Sequence, residues 1–323
     1  MKLPRLGERE IISALREEFS TSCSGVTLGI GDDAAALKVG KKYLLFTKDL
    51  LIEGVHFALP VSPPFFLGRK SLNVNLSDIA AMGGNPKFAL LGLGIPARTE
   101  PKWLEEFFSG LKSASLEAGV GLIGGDISRA KKITISVTVI GEAKTVIRRD
   151  GARPGDMVFV SGTLGDARKG LFLSKNGHKP GDSKREDVFL HAFLNPLPQI
   201  SLGQELSRRK IASSMIDVSD GLSVDLDHLC QESGYGSEIY LEKIPLSSEL
   251  RLIQKNPFEY ALHGGEDYQL LFTVSPEKLG SISRLQSKHK LALIGKIISG
   301  KIIFWVDRHG RKKRLNLKGY QHF

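Results

Sequence analysis

The sequence has little cysteine and no long apolar run, and these absences exclude several classes of protein. Its two cysteines, Cys23 and Cys230, lie far apart without a CxxC pair, so neither a disulfide framework nor a structural zinc site is indicated. No segment approaches the ~20 consecutive apolar residues of a membrane span. The N-terminal segment MKLPRLGEREIISALREEF is charged throughout, unlike a signal peptide, and predicts an amphipathic helix. These features predict a cytoplasmic protein with no membrane partner.

The common nucleotide-binding loops are missing as well. There is no GxxxxGK followed by Ser or Thr, because Gly295-Lys296 precedes an isoleucine. A GxGxxG match at Gly119, Gly121 and Gly124 follows a predicted helix and contains the strand, the reverse of a dinucleotide-binding loop, so we take it as accidental. A nucleotide bound here would need metal-bridged carboxylates to hold its phosphates. No nucleophilic triad is recognisable either.

Acidic residues are fewer than basic ones, 35 against 45, giving a formal net charge of +10. The excess is spread along the chain, apart from the run DRHGRKKR at 307–314. A solvated basic face is one interpretation, and attraction of phosphates or nucleic acid is the alternative. No zinc finger, helix-turn-helix or RNP-like motif accompanies the charge, so we expect no nucleic-acid partner.

Periodicity and turn residues predict a two-domain α/β (α+β) protein divided into residues 1–144 and 145–323. Helices are predicted within 65–82 and 100–118, because Gly83-Gly84 and Gly119 follow them. Strands are predicted before and after these helices and again at 157–161. Residues 174–187 predict an exposed loop, and residues 291–306 predict a closing hairpin.

Aspartates end one apolar run after another, and this repetition is the strongest chemical signal in the sequence. Any one of them alone is most simply a helix or turn cap. Several short carboxylates at the ends of rigid elements, beside small residues, are what Mg²⁺ requires. The residues concerned are Asp33, Asp49, Asp78, Asp126, Asp217 and Asp220.

Two further patterns add to this signal. In GIGDDAAAL (29–37), an extended strand would turn Asp32 and Asp33 to opposite faces. In IDVSDGL, a strand passing into a helix would place Ser219 with its two flanking aspartates at a helix N-terminus that favours phosphate; a simple N-cap is the alternative. GGED (264–267) predicts a flexible turn whose backbone can approach a ligand, and a plain loop is nearly as good an explanation. His56 alone is most simply a structural histidine.

Nine separated motifs together resemble those of the thiamine-monophosphate kinases. In order they are LGIGDDAA, TKDLLIEGVHF, NLSDIAAMGGNP, LIGGDISR, RRDGARPGD, VSGTLGDA, IDVSDGL, HGGEDYQLLFTV and KGYQHF. That family belongs to the superfamily of ATP-binding proteins that includes aminoimidazole ribonucleotide synthetase. The resemblance implies a two-domain fold of mixed sheets packed by helices, and a homodimer formed through strands of the N-terminal domain. It also implies transfer of the γ-phosphoryl group of ATP to thiamine monophosphate, giving thiamine diphosphate.

The resemblance further implies roles for individual residues. The implied ATP contacts are Gly125, Asp126, Arg149 and Ser219. The implied contacts to thiamine monophosphate are His56, Glu266 and Tyr320. The implied ligands of several Mg²⁺ ions are Asp33, Thr47, Lys48, Asp49, Asp78, Asp126, Asp217 and Asp220. Because the attacking phosphate oxygen is already anionic, no general base and no phosphoenzyme are expected.

The sequence departs from the family pattern at two positions. Lys48 stands where a second hydroxyl residue is usual, which is harmless if the ligand at that position is the backbone carbonyl. Gln321 stands where aspartate is common. Other activities of the superfamily, such as selenophosphate or aminoimidazole ribonucleotide synthesis, remain alternatives, with a basic nucleic-acid-binding protein as a further one.

Overall fold

Two β-sheets, one in each half of the chain, form the framework of the computed structural model, which describes residues 7–19 and 24–319. The N-terminal sheet has the order β1-β2-β3-β6-β4-β5, and its strands are antiparallel except for the β4–β5 pair. These strands are β1 (Val26–Leu28), β2 (Ala35–Val39), β3 (Lys42–Ile52), β4 (Asn85–Ile95), β5 (Gly121–Arg129) and β6 (Thr134–Ala143).

Helices cover one face of this sheet. The covering helices are α2 (Pro64–Ala81) and α3 (Pro101–Ala118). A further helix, α1 (Glu8–Glu18), pairs Arg16 with Glu232 of the second half of the chain. Gly83 at φ 69° and Gly119 at φ 64° follow α2 and α3, so both predicted helix ends are confirmed. Alternate residues of β6, including Ile135, Val137 and Val139, are buried beneath the helices.

A close approach of α2 and α3 depends on two glycines. A Cβ on Gly68 would lie 2.0 Å from the carbonyl oxygen of Phe107, and one on Gly110 would lie 1.8 Å from that of Phe65. Both distances are far below van der Waals contact, so neither position accepts a side chain without moving the helices apart. The two glycines therefore let the backbones of α2 and α3 pack directly against each other.

The second sheet has seven strands in the order β13-β12-β9-β11-β7-β10-β8. Its strands are β7 (Met157–Ser161), β8 (Ala212–Asp217), β9 (Gly236–Tyr240), β10 (Leu270–Val274), β11 (Leu291–Ile298), β12 (Ile303–Val306) and β13 (Lys312–Arg314). Its helices are α4 (Asp166–Lys175), α5 (Lys184–Leu194), α6 (Ile200–Arg208), α7 (Leu222–Ser233), α8 (Ser248–Ile253), α9 (Pro257–His263) and α10 (Leu279–Gln286). Buried apolar clusters lie on both faces of this sheet.

Three local expectations are wrong. β11 and β12 do not form a hairpin, because β9 lies between them, antiparallel to β11 and parallel to β12. The loop predicted over 174–187 is shorter, since α4 runs to Lys175 and α5 begins at Lys184, where Phe189 and Phe193 supply a buried face. GIGDD is not a strand: it forms the connection between the antiparallel strands β1 and β2.

The two sheets are separated in sequence by residues 144–156, and the domain boundary at 144/145 stays a prediction. Among the described residues, no helix combines the length and apolar character that crossing a bilayer requires. The cytoplasmic location stays a prediction. Cys23, Tyr320 and Gln321 lie outside the described residues.

Candidate active site

Three aspartates from three different elements meet between the two halves of the chain. Asp33 precedes β2, Asp78 lies in the last turn of α2, and Asp217 ends β8. One carboxylate oxygen from each lies within 4.8 Å of the others. The sequence predicted that aspartates following apolar runs would form one site, and these three lie together.

Neutral hydrogen-bond donors orient this cluster. Thr47 on β3 donates its hydroxyl to Asp78, and Ser77 donates its hydroxyl to Asp217 over 2.6 Å. The side-chain oxygen of Asn75 accepts the backbone N–H of Asp49 at 2.9 Å. Asp78 and Asp217 are therefore held by hydroxyl groups that fix the direction of each carboxylate without cancelling its charge.

Burial and mutual repulsion raise the pKa values of the clustered acids. The pKa of Asp78 lies well above its ordinary value because of burial and of Asp49, Asp217 and Asp33. Burial, with Asp33, raises the pKa of Asp217 to about 8. Burial, with Glu266 and Asp220, raises that of Asp49 to about 6. The carboxylates lie close enough to disfavour one another's charge.

Such a cluster of oxygen donors fits a hard cation. Carboxylate and hydroxyl oxygens at the junction of rigid elements are the ligands that Mg²⁺ takes in phosphate-handling sites. The repulsion recorded in the raised pKa values is what a bound dication would relieve. The donor set thus matches the magnesium ions that the family resemblance implies.

One cation of the chain itself already contacts the cluster. Arg149, in the 3-10 turn Arg149–Gly151, places Nη2 2.6 Å from Oδ1 of Asp33 and Nε 3.4 Å from Oδ2. Burial would lower the pKa of Arg149, but Asp33 and Asp32 outweigh it and raise that pKa. The guanidinium therefore engages the same carboxylate that a metal ion would use.

Asp32 supports this arrangement from behind. Its carboxylate accepts the backbone N–H of Arg149 at 3.1 Å and that of Asp33 at 3.0 Å. Burial and the adjacent Asp33 raise its pKa to about 7. Asp32 and Asp33 were expected to lie on opposite faces of a strand, but this segment is a connection between strands. Both aspartates contact Arg149.

The GGED turn packs against the end of β8 and does not form a loose loop. The N–H of Glu266 donates to the carbonyl of Ser219 at 2.7 Å, and Asp267 accepts N–H groups of Gly165 and Ala167 at the start of α4. Glu266 at φ 73° and Tyr268 at φ 48° are left-handed non-glycine residues, each costing roughly 1–2 kcal/mol. A turn held under strain by so many contacts is a mark of a functional position.

The turn between β8 and α7 places Ser219 and Asp220 beside Asp217. The N–H of Asp220 donates to Asp225 of α7 at 3.1 Å, and that of Gly221 does so at 3.0 Å. Asp225 thus shapes this helix start from inside the protein. Ser219 and Asp220 are presented at the helix N-terminus, as the sequence predicted.

Gly125, Asp126 and Lys48 do not join the cluster within one chain. Asp126 pairs with Gly92 on β4, which pairs in turn with Ser136 on β6. Ser136 pairs with Leu50 on β3, so Asp126 and Leu50 lie on the same face of the sheet. Because neighbouring residues of a strand face opposite ways, Asp49 lies on the other face. Lys48 shares the face of Asp126 and Leu50. Gly125 and Asp126 also lie on the sheet edge, three strands away from β3.

His56 lies at the end of β3, where its Nδ1 accepts the backbone N–H of Ile52 at 3.0 Å. This bond gives the imidazole a turn-closing contact, consistent with its structural interpretation. Its predicted contact with substrate stays a prediction, as does that of Tyr320.

Sequence reasoning missed the polar residues on α2 that support the site. Lys70, Asn75 and Ser77 are buried, and Lys70 forms an ion pair with Glu266. A signal for them exists: RKSLNVNLSD intersperses polar residues along a helix whose apolar positions face a core. Polar side chains buried on such a helix need partners, and partners that are carboxylates indicate a site.

Matches to known proteins agree with this geometry. The family described as AIR synthase related protein, N-terminal domain, matches residues 31–143, and its C-terminal counterpart matches residues 153–307. A thiamine-monophosphate kinase of Aquifex aeolicus is 40% identical over 330 residues, covering 100% of both chains. One of Buchnera aphidicola is 36% identical, covering 98% of both. The solved structure of AaThiL complexed with AMPPCP and TMP has a TM-score of 0.89 and 40% identity, covering 100% of this chain and 99% of that one.

Fold and site thus define a two-domain α/β protein of the AIR synthase related class. Within that class, the chain belongs to the thiamine-monophosphate kinase family. The other superfamily activities considered from the sequence give way to this assignment.

Proposed function

We propose that this chain phosphorylates thiamine monophosphate with ATP, giving thiamine diphosphate and ADP. The observation that carries the proposal is the convergence of Asp33, Asp78 and Asp217 from both halves of a thiamine-monophosphate kinase family fold. The complex of AaThiL with AMPPCP, an analogue of ATP, and TMP supports both substrates. The enzyme class is thiamine-phosphate kinase, with a phosphate group as acceptor.

Charge repulsion is the main obstacle to this reaction, since an anionic phosphate must approach a triphosphate. When bound at the carboxylate cluster, Mg²⁺ supplies neutralisation of phosphate oxygens. The proposed ligands are Asp33, Thr47, the Lys48 carbonyl, Asp49, Asp78, Asp217 and Asp220, with Asp126 contributed by a second copy of the chain. Thr47 and Ser77 keep two of these carboxylates oriented through their hydroxyl donors.

The residues around the cluster position the phosphates without proton transfer. The attacking oxygen carries no proton at neutral pH, so no general base is required and the transfer is direct and in line. Arg149 is proposed to turn from Asp33 to the phosphates, where its planar guanidinium suits bidentate contact. Ser219, at the start of α7, adds an N-terminal helix position that favours anions.

The remaining contacts divide between the substrate pocket and the sheet edge. His56, Glu266 and Tyr320 are proposed to contact thiamine monophosphate, and Gly125 and Asp126 to contact ATP. Because Asp126 lies on an edge strand and on the face opposite Asp49, it is best placed to serve the site of a second chain. We propose a homodimer formed through β5, whose nine residues are all exposed and include the apolar Ile127.

The test is direct formation of product. Purified protein is mixed with ATP, Mg²⁺ and thiamine monophosphate, and phosphorus NMR follows the appearance of thiamine diphosphate. Thiamine in place of its monophosphate is the acceptor control and should give no product. A protein that binds ATP but forms no thiamine diphosphate would contradict the proposal.

A further inference from the structure

We infer that Lys70 is a positioning residue that holds the carboxylate of Glu266 in place for thiamine monophosphate. The inference deepens the proposed function and rests on it, because Glu266 is one of the proposed substrate contacts. Lys70 itself belongs to none of the motifs that point to the family. We infer its role from its contacts in the structure.

One stripe of α2 reaches into the second half of the chain. Lys70 and Ser77 are seven residues apart, two helical turns, so they lie above one another on the same side of the helix. Ser77 donates to Asp217, a member of the carboxylate cluster, and Lys70 contacts Oε2 of Glu266. Helix α2, which carries Asp78, therefore also contacts and orients Asp217 and Glu266 in the second half of the chain.

The ammonium group of Lys70 is held from several sides. Its side chain is only 7% exposed, and Nζ donates to the carbonyl of Phe193 at 3.1 Å. Nζ also lies 3.9 Å from the centre of the Phe193 ring, a cation–π contact. A lysine that served only solubility would reach solvent, so these contacts indicate a fixed charge.

The backbone of Glu266 is fixed within a well-bonded turn, and its side chain extends from that turn to Lys70. Its backbone is left-handed at φ 73°, its N–H is bonded to Ser219, and the next residue, Asp267, is anchored to the start of α4. Only its side-chain torsions remain to be set. Oε2 is buried and faces Lys70, whereas the side chain as a whole is 27% exposed. The pair therefore leaves part of the carboxylate open to a ligand.

A cation is needed at this position because the neighbourhood is acidic. The negative charges of Glu266 and Asp220 both repel that of Asp49 and help to raise its pKa. Without Lys70, repulsion would turn the Glu266 carboxylate away from the cluster, toward solvent. A buried charge that loses its partner is strongly disfavoured, so the position of Glu266 depends on Lys70.

The chain offers a matched control in the preceding residue. Arg69 is also 7% exposed and also forms an ion pair, with Glu117 of α3, while its Nε donates to Asn195 at 2.7 Å. Its partners lie outside the carboxylate cluster. Loss of Arg69 therefore removes a cation of equal burial from the same helix without touching Glu266.

The experiment compares Lys70→Met, Lys70→Gln, Lys70→Arg and Arg69→Met in steady-state kinetics and in calorimetric titration with thiamine monophosphate. We expect Lys70→Met and Lys70→Gln to raise KM and Kd for thiamine monophosphate about tenfold or more, with KM for ATP within about twofold. Lys70→Arg, which keeps the charge, should recover part of the loss. Arg69→Met should lower Tm and leave both KM values unchanged. Gln can still donate to Phe193, so it preserves the packing if Met does not fold.

A double-mutant cycle with Glu266→Gln makes the inference specific. If Lys70 acts through Glu266, Lys70→Met should add no further loss of affinity to Glu266→Gln. Additive losses would overturn the inference, as would an unchanged KM for thiamine monophosphate in a folded Lys70 variant. A wild-type protein that forms no thiamine diphosphate would instead overturn the proposed function, so the two failures are distinguishable.

Discussion

The carboxylate cluster, which joins the two halves of the chain, and strand β5, at one edge of the N-terminal sheet, depart from ordinary side-chain burial in opposite directions. In the cluster, charged groups such as Asp217, 2% exposed, are buried close together. On β5, apolar groups such as Ile127, 62% exposed, face solvent. Both arrangements are unfavourable for an isolated chain. The proposed ligands would relieve both: cations and phosphates at the cluster, and a second chain at the edge.

The carboxylate cluster and strand β5 also differ in how precisely their residues must be placed. The cluster is built from several distant elements and depends on ångström-scale convergence, so single substitutions should abolish its chemistry. The edge is a continuous strand, and its function depends on a row of exposed apolar groups and backbone hydrogen-bonding positions.

The largest effect is expected from Asp78→Asn. It removes a proposed ligand and a repelling charge together, so thiamine diphosphate formation should fall about 10²–10³-fold while thermal stability in EDTA rises. Activity assays and thermal melts of the same preparation test both halves. A variant that keeps wild-type turnover would remove Asp78 from the metal site, and a lower Tm would mean that the cluster is not under electrostatic strain.

Ile127→Lys should disrupt the proposed dimer contact along strand β5. A lysine on an exposed edge strand opposes strand pairing, so the proposed dimer should dissociate at least ~30-fold more readily in analytical ultracentrifugation. Leu252→Lys, at a residue 75% exposed on α8, is the matched control and should leave the oligomeric state unchanged. If Asp126 serves the partner's site, activity should fall with dissociation. A fully active monomer would contradict the shared site.

The stability of the cluster should depend on pH. Asp217, with its pKa raised to about 8, and Asp49, raised to about 6, hold protons in the folded chain that the unfolded chain releases near pH ~3.9. Folding therefore binds protons in this window, and stability should decline as pH rises from about 4 toward about 8.

The measurement is Tm against pH in EDTA for wild type and Asp217→Asn. His263, whose pKa is lowered mainly by burial, has the opposite slope, so only the difference between the two proteins isolates the cluster. The Asn variant should show a flatter decline above pH 5. Identical slopes would show that Asp217 is ionised throughout.

The smallest effect is expected from Lys48→Ala. Its side chain lies on the face of β3 opposite Thr47 and Asp49, so kcat/KM should change less than about threefold. Thr47→Val is the contrasting substitution, because it removes the hydroxyl that donates to Asp78 and should lower the rate about tenfold or more. A large loss on changing Lys48 would place its side chain in the chemistry.

Local structure was largely predictable from the sequence. The ends of α2 and α3 follow from Gly83 and Gly119, and β8 followed by α7 was expected from the strand and helix patterns around Ser219. The pairing of β9 between β11 and β12 was not predictable, because it joins segments about fifty residues apart and a short loop suggested a hairpin.

Some features of the candidate site were likewise predictable from the sequence, and others were not. The convergence of Asp33, Asp78 and Asp217 was predicted from their positions after apolar runs. The separation of Asp126 from them was not, because an aspartate after an apolar run looks the same in sequence whichever face of the sheet the strand register gives it. The contacts of Arg149 with Asp33, and of Lys70 with Glu266, depend on chain segments more than a hundred residues apart.

The sequence by itself determined which residue types this protein has for its chemistry, where helices α2 and α3 end, and which family it resembles. These follow from short-range periodicity, turn residues and motif order. The tertiary structure alone decided which carboxylates share a site, which lie across the sheet from it, and which cations hold them. Electrostatic coupling and side-chain contact depend on distances of a few ångströms, and only packing between distant segments determines those.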